Sequence, residues 1–112
     1  MLAVLHSHTD LISSIERFEH RTNFAIEQYK AVARLIDGTT LHINEVWHSG
    51  QLKKYAYYWV SPTGTVLQGW DNAPHHSSIA THPHHTHIES KVFGSGVNTL
   101  EDVLAILTAR LL

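Results

Sequence analysis

The chain has 112 residues, of which 43% are hydrophobic and 16% charged, so we expect one folded domain over residues 1–112 and exclude a disordered chain. It contains no cysteine, which excludes disulfides, thiolate zinc sites and a cysteine nucleophile. The formal net charge of -2 argues against broad nonspecific binding to nucleic acid, unless the 11 histidines become protonated.

The first 21 residues fit either a helix or a strand. Residues 1–13 place leucines on one helical face, and the spacing of Ser7 and Asp10 would alternatively start a helix there. The competing prediction, which we favour, makes residues 14–21 a first β-strand. The apolar run at residues 2–5 is too short for a membrane span or a signal peptide core. With no cysteine as well, we expect a cytoplasmic protein without membrane contact.

From residue 25 onward the pattern is that of β-strands. Residues 29–36 alternate loosely, and Asp37-Gly38 predicts a two-residue hairpin turn because glycine adopts positive φ without steric cost. The return strand covers residues 39–48. Its side chains divide between two faces, with Leu41 and Ile43 on one and His42, Asn44 and Val46 on the other.

Two further strands follow. Residues 53–60 are rich in the aromatic residues that favour strands, and Ser61-Pro62-Thr63-Gly64 has the composition of a β-turn. Residues 65–70 return beside the aromatic strand. These elements predict an antiparallel meander of four strands, or five if residues 14–21 join it.

The end of the chain contains a long segment and then a helix. Residues 71–97 show no convincing periodicity, and a loop of this length is usually functional or disordered. Thr99 and Asp102 have the spacing of a helix cap, and an apolar stripe continues to Leu111. The predicted fold is α+β: an antiparallel four- or five-stranded meander sheet with an N-terminal helix and a C-terminal helix packed on it.

Six of the histidines lie between His75 and His87, within the predicted loop. Histidine is the side chain whose unperturbed pKa lies near neutrality, and its neutral form binds metals. Such a density of imidazole is not required by an ordinary core or surface. The segment is therefore the main candidate for a functional site.

The run Trp70-Asp71-Asn72-Ala73-Pro74-His75-His76 resembles the TumE-like toxins, small prokaryotic proteins encoded beside an antitoxin. The aromatic strand at residues 55–59, the second histidine cluster at residues 83–87 and the closing helix from residue 100 also match, so the resemblance covers roughly residues 14–107. It implies an α+β fold with an antiparallel sheet, a toxic activity directed at RNA, and an antitoxin partner.

Two positions depart from the pattern of that family. A basic or bulky residue often precedes the Trp-Asp-Asn run, and a histidine often occupies the position of Tyr58. This chain has Gly69 and Tyr58 at these places. If either position contacts substrate, we expect altered recognition.

One interpretation of the histidines is metal-independent cleavage of RNA, as by an endoribonuclease. The reaction needs a base for the ribose 2′-OH, an acid for the leaving 5′ oxygen and a cation for the phosphorane. Asp71 would orient a histidine ring. The candidate acid and base residues are His75 and His76, with His85 or His87 opposite. The candidate RNA-binding residues are Lys53, Lys54 and Arg34 for phosphate and Tyr58 for base stacking.

A second interpretation is a metal site. His82 and His84, like His85 and His87, have the i, i+2 spacing that places side chains on one side of an extended backbone. These four residues could bind Zn²⁺ or Ni²⁺, with Asp71 as a possible oxygen ligand, although an all-histidine and carboxylate site is less usual than one with cysteine. Our leading expectation is that no cofactor is needed.

A third interpretation is structural, with Asp71 and Asn72 setting a turn and the histidines filling polar pockets. The corresponding functional alternative is a non-catalytic, histidine-rich metal- or nucleic-acid-binding protein. A toxin that only binds its target is a further alternative. An unshielded edge on the aromatic strand would also favour pairing with a partner or a homodimer.

Overall fold

The computed structural model describes residues 1–74 and 76–112. It confirms an α+β fold, with an antiparallel sheet and one helix near each end of the chain. The predicted number of strands was wrong, because the described residues form seven. The elements are α1 (Leu2–His6), β1 (Ile12–Asn23), β2 (Ile26–Leu35), β3 (Thr40–His48), β4 (Gln51–Val60), β5 (Val66–Asp71), β6 (His85–Ile88), β7 (Lys91–Gly94) and α2 (Leu100–Leu111).

Each strand pairs with the next one along the chain, so the sheet is a simple meander in the order β1 to β7. Every pairing is antiparallel. The aromatic strand β4 lies between β3 and β5, so it has no unshielded edge, and the edge strands of the described sheet are β1 and β7. Neither helix among the described residues is long and apolar enough to cross a membrane.

The helices cover one face of the sheet and leave the other open. On β3 the alternation is as predicted, since Leu41 and Ile43 are buried while His42 and Asn44 are exposed. Helix α2 supplies the apolar stripe that packs on the buried face. The core contains Leu5, Leu11, Ala33, Leu35, Leu41, Ile43, Tyr55, Tyr57, Trp70, Val97, Leu100, Val103, Leu104 and Leu107.

The cap of α2 is confirmed. The Thr99 side chain accepts from the Asp102 backbone N–H at 3.3 Å, and the Asp102 carboxylate accepts from the Thr99 N–H at 3.1 Å. This reciprocal pair satisfies two of the N–H groups that a helix start leaves unpaired. It fixes the point where the chain returns from β7 to the core.

The first residues form both of the predicted alternatives, one after the other. A five-residue helix covers Leu2–His6, and β1 then covers Ile12–Asn23, beginning earlier than expected. The turn at Asp37-Gly38 is also longer than two residues. The Asp37 carboxylate accepts from the N–H and hydroxyl of Thr39, which draws Thr39 into the turn.

The prediction that residues 71–97 form one loop is wrong, because this segment contains β6 and β7. The two strands are joined at Glu89 and Ser90, whose φ angles are 49° and 65°. Positive φ at both central residues defines a type I′ turn, which usually contains asparagine and glycine. Neither residue gives that signal, so the sequence pattern did not reveal the hairpin.

Candidate functional site

The strand register places the polar residues of the site in two rows on the open face. Gly69 of β5 pairs with Tyr58 of β4 on one side and with His87 of β6 on the other. In the next row, Asp71 pairs with His85. Because side chains i and i+2 of a strand share a face, His85 and His87 both stand beside Asp71.

The carboxylate of Asp71 is the centre of this cluster. Its Oδ1 lies 2.7 Å from Nε2 of His85, and its Oδ2 lies 3.0 Å from Nε2 of His87. It also accepts from the hydroxyl of Tyr58 at 3.2 Å and from the backbone N–H of Ala73 at 3.0 Å. Asp71 is 6% exposed and His85 is 2% exposed, so the carboxylate and this imidazole interact away from solvent.

The hydrogen bonds of His85 fix the position of its protons. Nδ1 lies 2.9 Å from the carbonyl oxygen of Pro83, which can only accept, so Nδ1 carries a proton. A neutral His85 would then aim the lone pair of Nε2 at the carboxylate of Asp71. Two acceptors at that distance repel each other unless a proton or another cation lies between them.

His87 is more accessible than His85, since 31% of its side chain is exposed. Asp71 accepts from Nε2 of His87, so a neutral ring holds its lone pair on Nδ1. A carboxylate that fixes the tautomer in this way leaves the opposite nitrogen able to take a proton. Of the two imidazoles bound to Asp71, His87 is the one placed to act as a base.

The structure brings His76 to the same cluster. Its ring centroid lies 4.8 Å from that of His85 and 6.0 Å from that of His87, in edge-to-face arrangements. Asp71, His76, His85 and His87 therefore converge, although they come from two strands and an intervening loop. The remaining candidate, His75, lies outside the described residues.

Tyr58 connects the cluster to the open face of the sheet. Burial, and then the charge of Asp71, raise the pKa of its phenol, so its hydroxyl stays protonated and donates to the carboxylate. The Tyr58 ring lines two adjoining clefts, of about 260 Å³ and about 290 Å³, and the second reaches Asp71. The polar residues that line these clefts are Arg17, Gln28, Lys30, His42, Asn44, Lys54, Tyr58, Asp71 and Asn72.

The predicted RNA-binding residues are placed differently from one another. Lys54 and Tyr58 line the cleft beside Asp71. Arg34 lies farther along β2, where it forms an ion pair with Glu16. The Nζ of Lys53 donates to the side chain of Gln51 at 3.0 Å. Sequence reasoning missed Lys30 and Arg17 as lining residues, and the alternation along β1 and β2 was the signal that could have found them.

The four histidines of the predicted metal site do not form one group. His82 is exposed, and Nδ1 of His84 lies 2.7 Å from the hydroxyl of Tyr55, a core residue of the opposite face. Within the part of the chain that the structure describes, the group with metal-ligand spacing is Asp71, His85 and His87, whose ligand atoms lie within 4.8 Å of one another.

A larger cleft of about 530 Å³ lies on the side of the helices, near the start of α2. It contains the buried carboxylate of Glu45, which accepts from Tyr57 at 2.6 Å and from Trp47 at 2.9 Å. Its neighbour Tyr55 donates to the carbonyl of Val97 at 2.8 Å. The polar groups of this cleft already have hydrogen-bond partners within the protein. The Asp71 cluster is therefore the better candidate for chemistry.

Comparison with known proteins gives one match. A family model described as Toxin TumE matches residues 2–111, nearly the whole chain. No curated protein and no solved structure matches the chain significantly. The match extends over both helices and the entire sheet, beyond the residues that carried the resemblance in the sequence.

Proposed function

This chain belongs to the Toxin TumE family, and from that membership we propose a toxin that acts in the cytoplasm by cleaving RNA without a metal cofactor. Membership in a toxin family implies an antitoxin partner. The observation that carries the proposal is the convergence of His85 and His87 on the carboxylate of Asp71, at 2.7 and 3.0 Å, beside a polar cleft.

His87 is the proposed general base. Its Nδ1 takes the proton of a ribose 2′-OH, and the 2′ oxygen then forms a bond to the adjacent phosphorus. Because Asp71 holds Nε2 of His87, the imidazolium that forms lies beside a negative charge. Base catalysis of this kind contributes roughly 10²–10⁴-fold to the rate.

His76 is the proposed general acid. It gives a proton to the 5′ oxygen as the bond from that oxygen to phosphorus breaks, which yields a 2′,3′-cyclic phosphate and a free 5′-OH. Its ring centroid lies 6.0 Å from that of His87, a separation that supports pairing the two rings as acid and base. His85 is buried and bound at both nitrogens, so it acts as a positioning residue for Asp71.

The cleft supports a single-stranded RNA substrate. Lys54 and Lys30 supply positive charge along the open face, and the Tyr58 ring offers a surface for a base. Stacking of a base on an aromatic side chain is worth about 1–3 kcal/mol. A folded RNA duplex would hide its bases, so unpaired segments are the expected target.

The test uses purified full-length protein and a short single-stranded RNA in the presence of EDTA. We expect cleavage, cyclic phosphate ends, and no cleavage of a substrate with 2′-deoxyribose at the cut site. His87→Ala and His76→Ala should each lower the rate by roughly 10²–10⁴-fold. His48→Ala, at an exposed histidine at the end of β3, should leave it unchanged. Cleavage of the deoxyribose substrate would exclude attack by the 2′-OH.

A second candidate function is RNA binding without cleavage, and the lysines of the cleft favour it. In that case the RNA would be retarded in a gel but remain intact, and growth arrest on expression would survive His87→Ala.

The antitoxin partner has a separate test. The product of a neighbouring gene should relieve growth arrest when it is expressed together with this protein. Pairing of the edge strands β1 or β7 with this partner or with a second copy would appear in the mass of the purified particle.

A further inference from the structure

We propose that Asp71, His85 and His87 also form a binding site for a divalent transition metal of the Zn²⁺ class. The binding proposal stands on geometry alone. Its consequence for activity, inhibition of RNA cleavage by the metal, rests on the proposed function.

The three potential ligand atoms already lie close together. Nε2 of His85 and Nε2 of His87 lie 2.7 and 3.0 Å from the two oxygens of the Asp71 carboxylate. One ligand atom from each of the three residues lies within 4.8 Å of the other two. Zinc takes imidazole nitrogens at about 2.0–2.1 Å and carboxylate oxygens at about 2.0–2.2 Å, so small side-chain adjustments enclose an ion. Two histidines and a carboxylate leave one position of a tetrahedron open.

Two of the three ligands also have the support that metal ligands usually have. The Nδ1–H of His85 donates to the carbonyl of Pro83 at 2.9 Å, which directs the Nε2 lone pair towards Asp71. Tyr58 and the Ala73 N–H hold the carboxylate at 3.2 and 3.0 Å. Such outer partners fix the tautomer and orientation of metal ligands, and their loss typically weakens affinity 10- to 100-fold.

The types of ligand select the metal. Imidazole suits Zn²⁺, Ni²⁺ and Cu²⁺, whereas Mg²⁺ and Ca²⁺ prefer oxygen ligands. With two nitrogens and one carboxylate, the cluster should discriminate against Mg²⁺. A bound metal would occupy Nε2 of His87 and the carboxylate of Asp71. The hydrogen bond from Nε2–H of His87 to Asp71, which keeps the lone pair on Nδ1, would then be lost, and with it the proposed base.

The test measures binding of Zn²⁺ and Co²⁺ to the full-length protein. We expect one ion per chain by calorimetry, no binding of Mg²⁺, and the visible absorption of tetrahedral Co²⁺. His87→Ala should weaken Zn²⁺ binding at least about 100-fold, and Tyr58→Phe should weaken it about 10-fold. His82→Ala is the matched control, since this exposed histidine lies outside the cluster. Circular dichroism of each variant checks that it is folded.

The outcomes separate the two proposals. Absence of binding to the wild-type protein, or equal loss in His82→Ala, would overturn the metal site even if RNA is cleaved in EDTA. Metal binding without any cleavage would leave the site in place and refute the proposed function. Cleavage that is unchanged when the site is saturated with Zn²⁺ would overturn the inhibition. Cleavage that requires added metal would support the site and refute the metal-independent mechanism.

Discussion

The ring of Tyr58 lies directly against the backbone of Gly69. The two residues are cross-strand partners, and a Cβ added to Gly69 would stand 2.5 Å from Cε1 of the tyrosine. With no side chain in its way, the ring crosses β5 and its hydroxyl reaches Asp71 at 3.2 Å. Tyr58 and Gly69 are therefore parts of one structural feature.

Gly69→Ala should destabilise the protein by about 1–3 kcal/mol, because the added methyl group forces the Tyr58 ring to move. In a Tyr58→Ala background the same change should have a much smaller effect, giving a coupling energy of about 0.5–3 kcal/mol in a double-mutant cycle. Urea denaturation measures both values. Gly96→Ala is the control, since a Cβ there meets nothing within 4 Å. Additive effects of Gly69→Ala and Tyr58→Ala would contradict the contact.

Asp71→Asn should lower the free energy of unfolding by about 3–5 kcal/mol, because it leaves the buried His85 without its charged partner. Urea denaturation at neutral pH measures the loss. The matched change is Glu16→Gln, which removes a carboxylate from an ion pair with Arg34 on the surface and should have little effect. If the two substitutions cost the same, the buried cluster does not contribute to stability as proposed.

Lys54→Gln should reduce the salt dependence of RNA binding, with the slope of log K against log salt falling by about 0.7 for a single strand. The reason is that Lys54 lines the cleft beside Asp71 and would neutralise one phosphate. Lys53→Gln should leave the slope unchanged, because that side chain is bonded to Gln51 instead. Filter binding over a series of salt concentrations distinguishes these neighbours, which sequence alone treated as equivalent.

Much of the sheet was predictable, because β3 alternates between apolar and polar residues, β4 is rich in the aromatic residues that favour strands, and both end at recognisable turns. The cap of α2 was predictable from Thr99 and Asp102 for a similar reason: both partners are local in sequence. The hairpin of β6 and β7 was not. Its strands are four residues each, and its turn residues, Glu89 and Ser90, lack the glycine or asparagine that usually marks positive φ.

The site was predictable in composition but not in arrangement. The density of histidines and the Asp71 carboxylate drew attention to a segment whose residues Asp71, His76, His85 and His87 converge in the structure. Their roles depend on register, which places His85 opposite Asp71 and sends His84 to the other face towards Tyr55. Register between distant strands is set by packing and turn geometry together, so spacing alone could not separate His84 from its neighbours.

The protein should become less stable as the pH rises above 10, because the phenol of Tyr55 ionises more readily in the unfolded chain than in the folded one. Burial, and then the charges of Asp71 and Asp102, raise the pKa of this phenol from 10.0 to about 12. The unfolded chain therefore loses this proton first, so the contribution is complete below pH 10 and is lost as the pH rises towards 12. Urea denaturation at pH 9 and at pH 11 should show a smaller decline for Tyr55→Phe than for the wild-type chain.

The turn between β6 and β7 offers a stabilising change close to the site. Glu89 and Ser90 have positive φ angles of 49° and 65°, a conformation that costs a residue with a side chain roughly 1–2 kcal/mol relative to glycine. Glu89→Asn with Ser90→Gly should therefore raise the free energy of unfolding by about 1–2 kcal/mol, since Asn-Gly is the preferred pair for a type I′ turn. Urea denaturation measures the gain.

The control for this change is Ser14→Gly, which places glycine at an exposed position in β1 where no positive φ is required. There glycine should destabilise the protein by about 0.5–1 kcal/mol, because it adds freedom to the unfolded chain without relieving strain. Opposite signs at the two positions would confirm the type I′ turn. A loss of stability at Ser90 as well would mean that β6, with His85 and His87, is joined to β7 by a different turn.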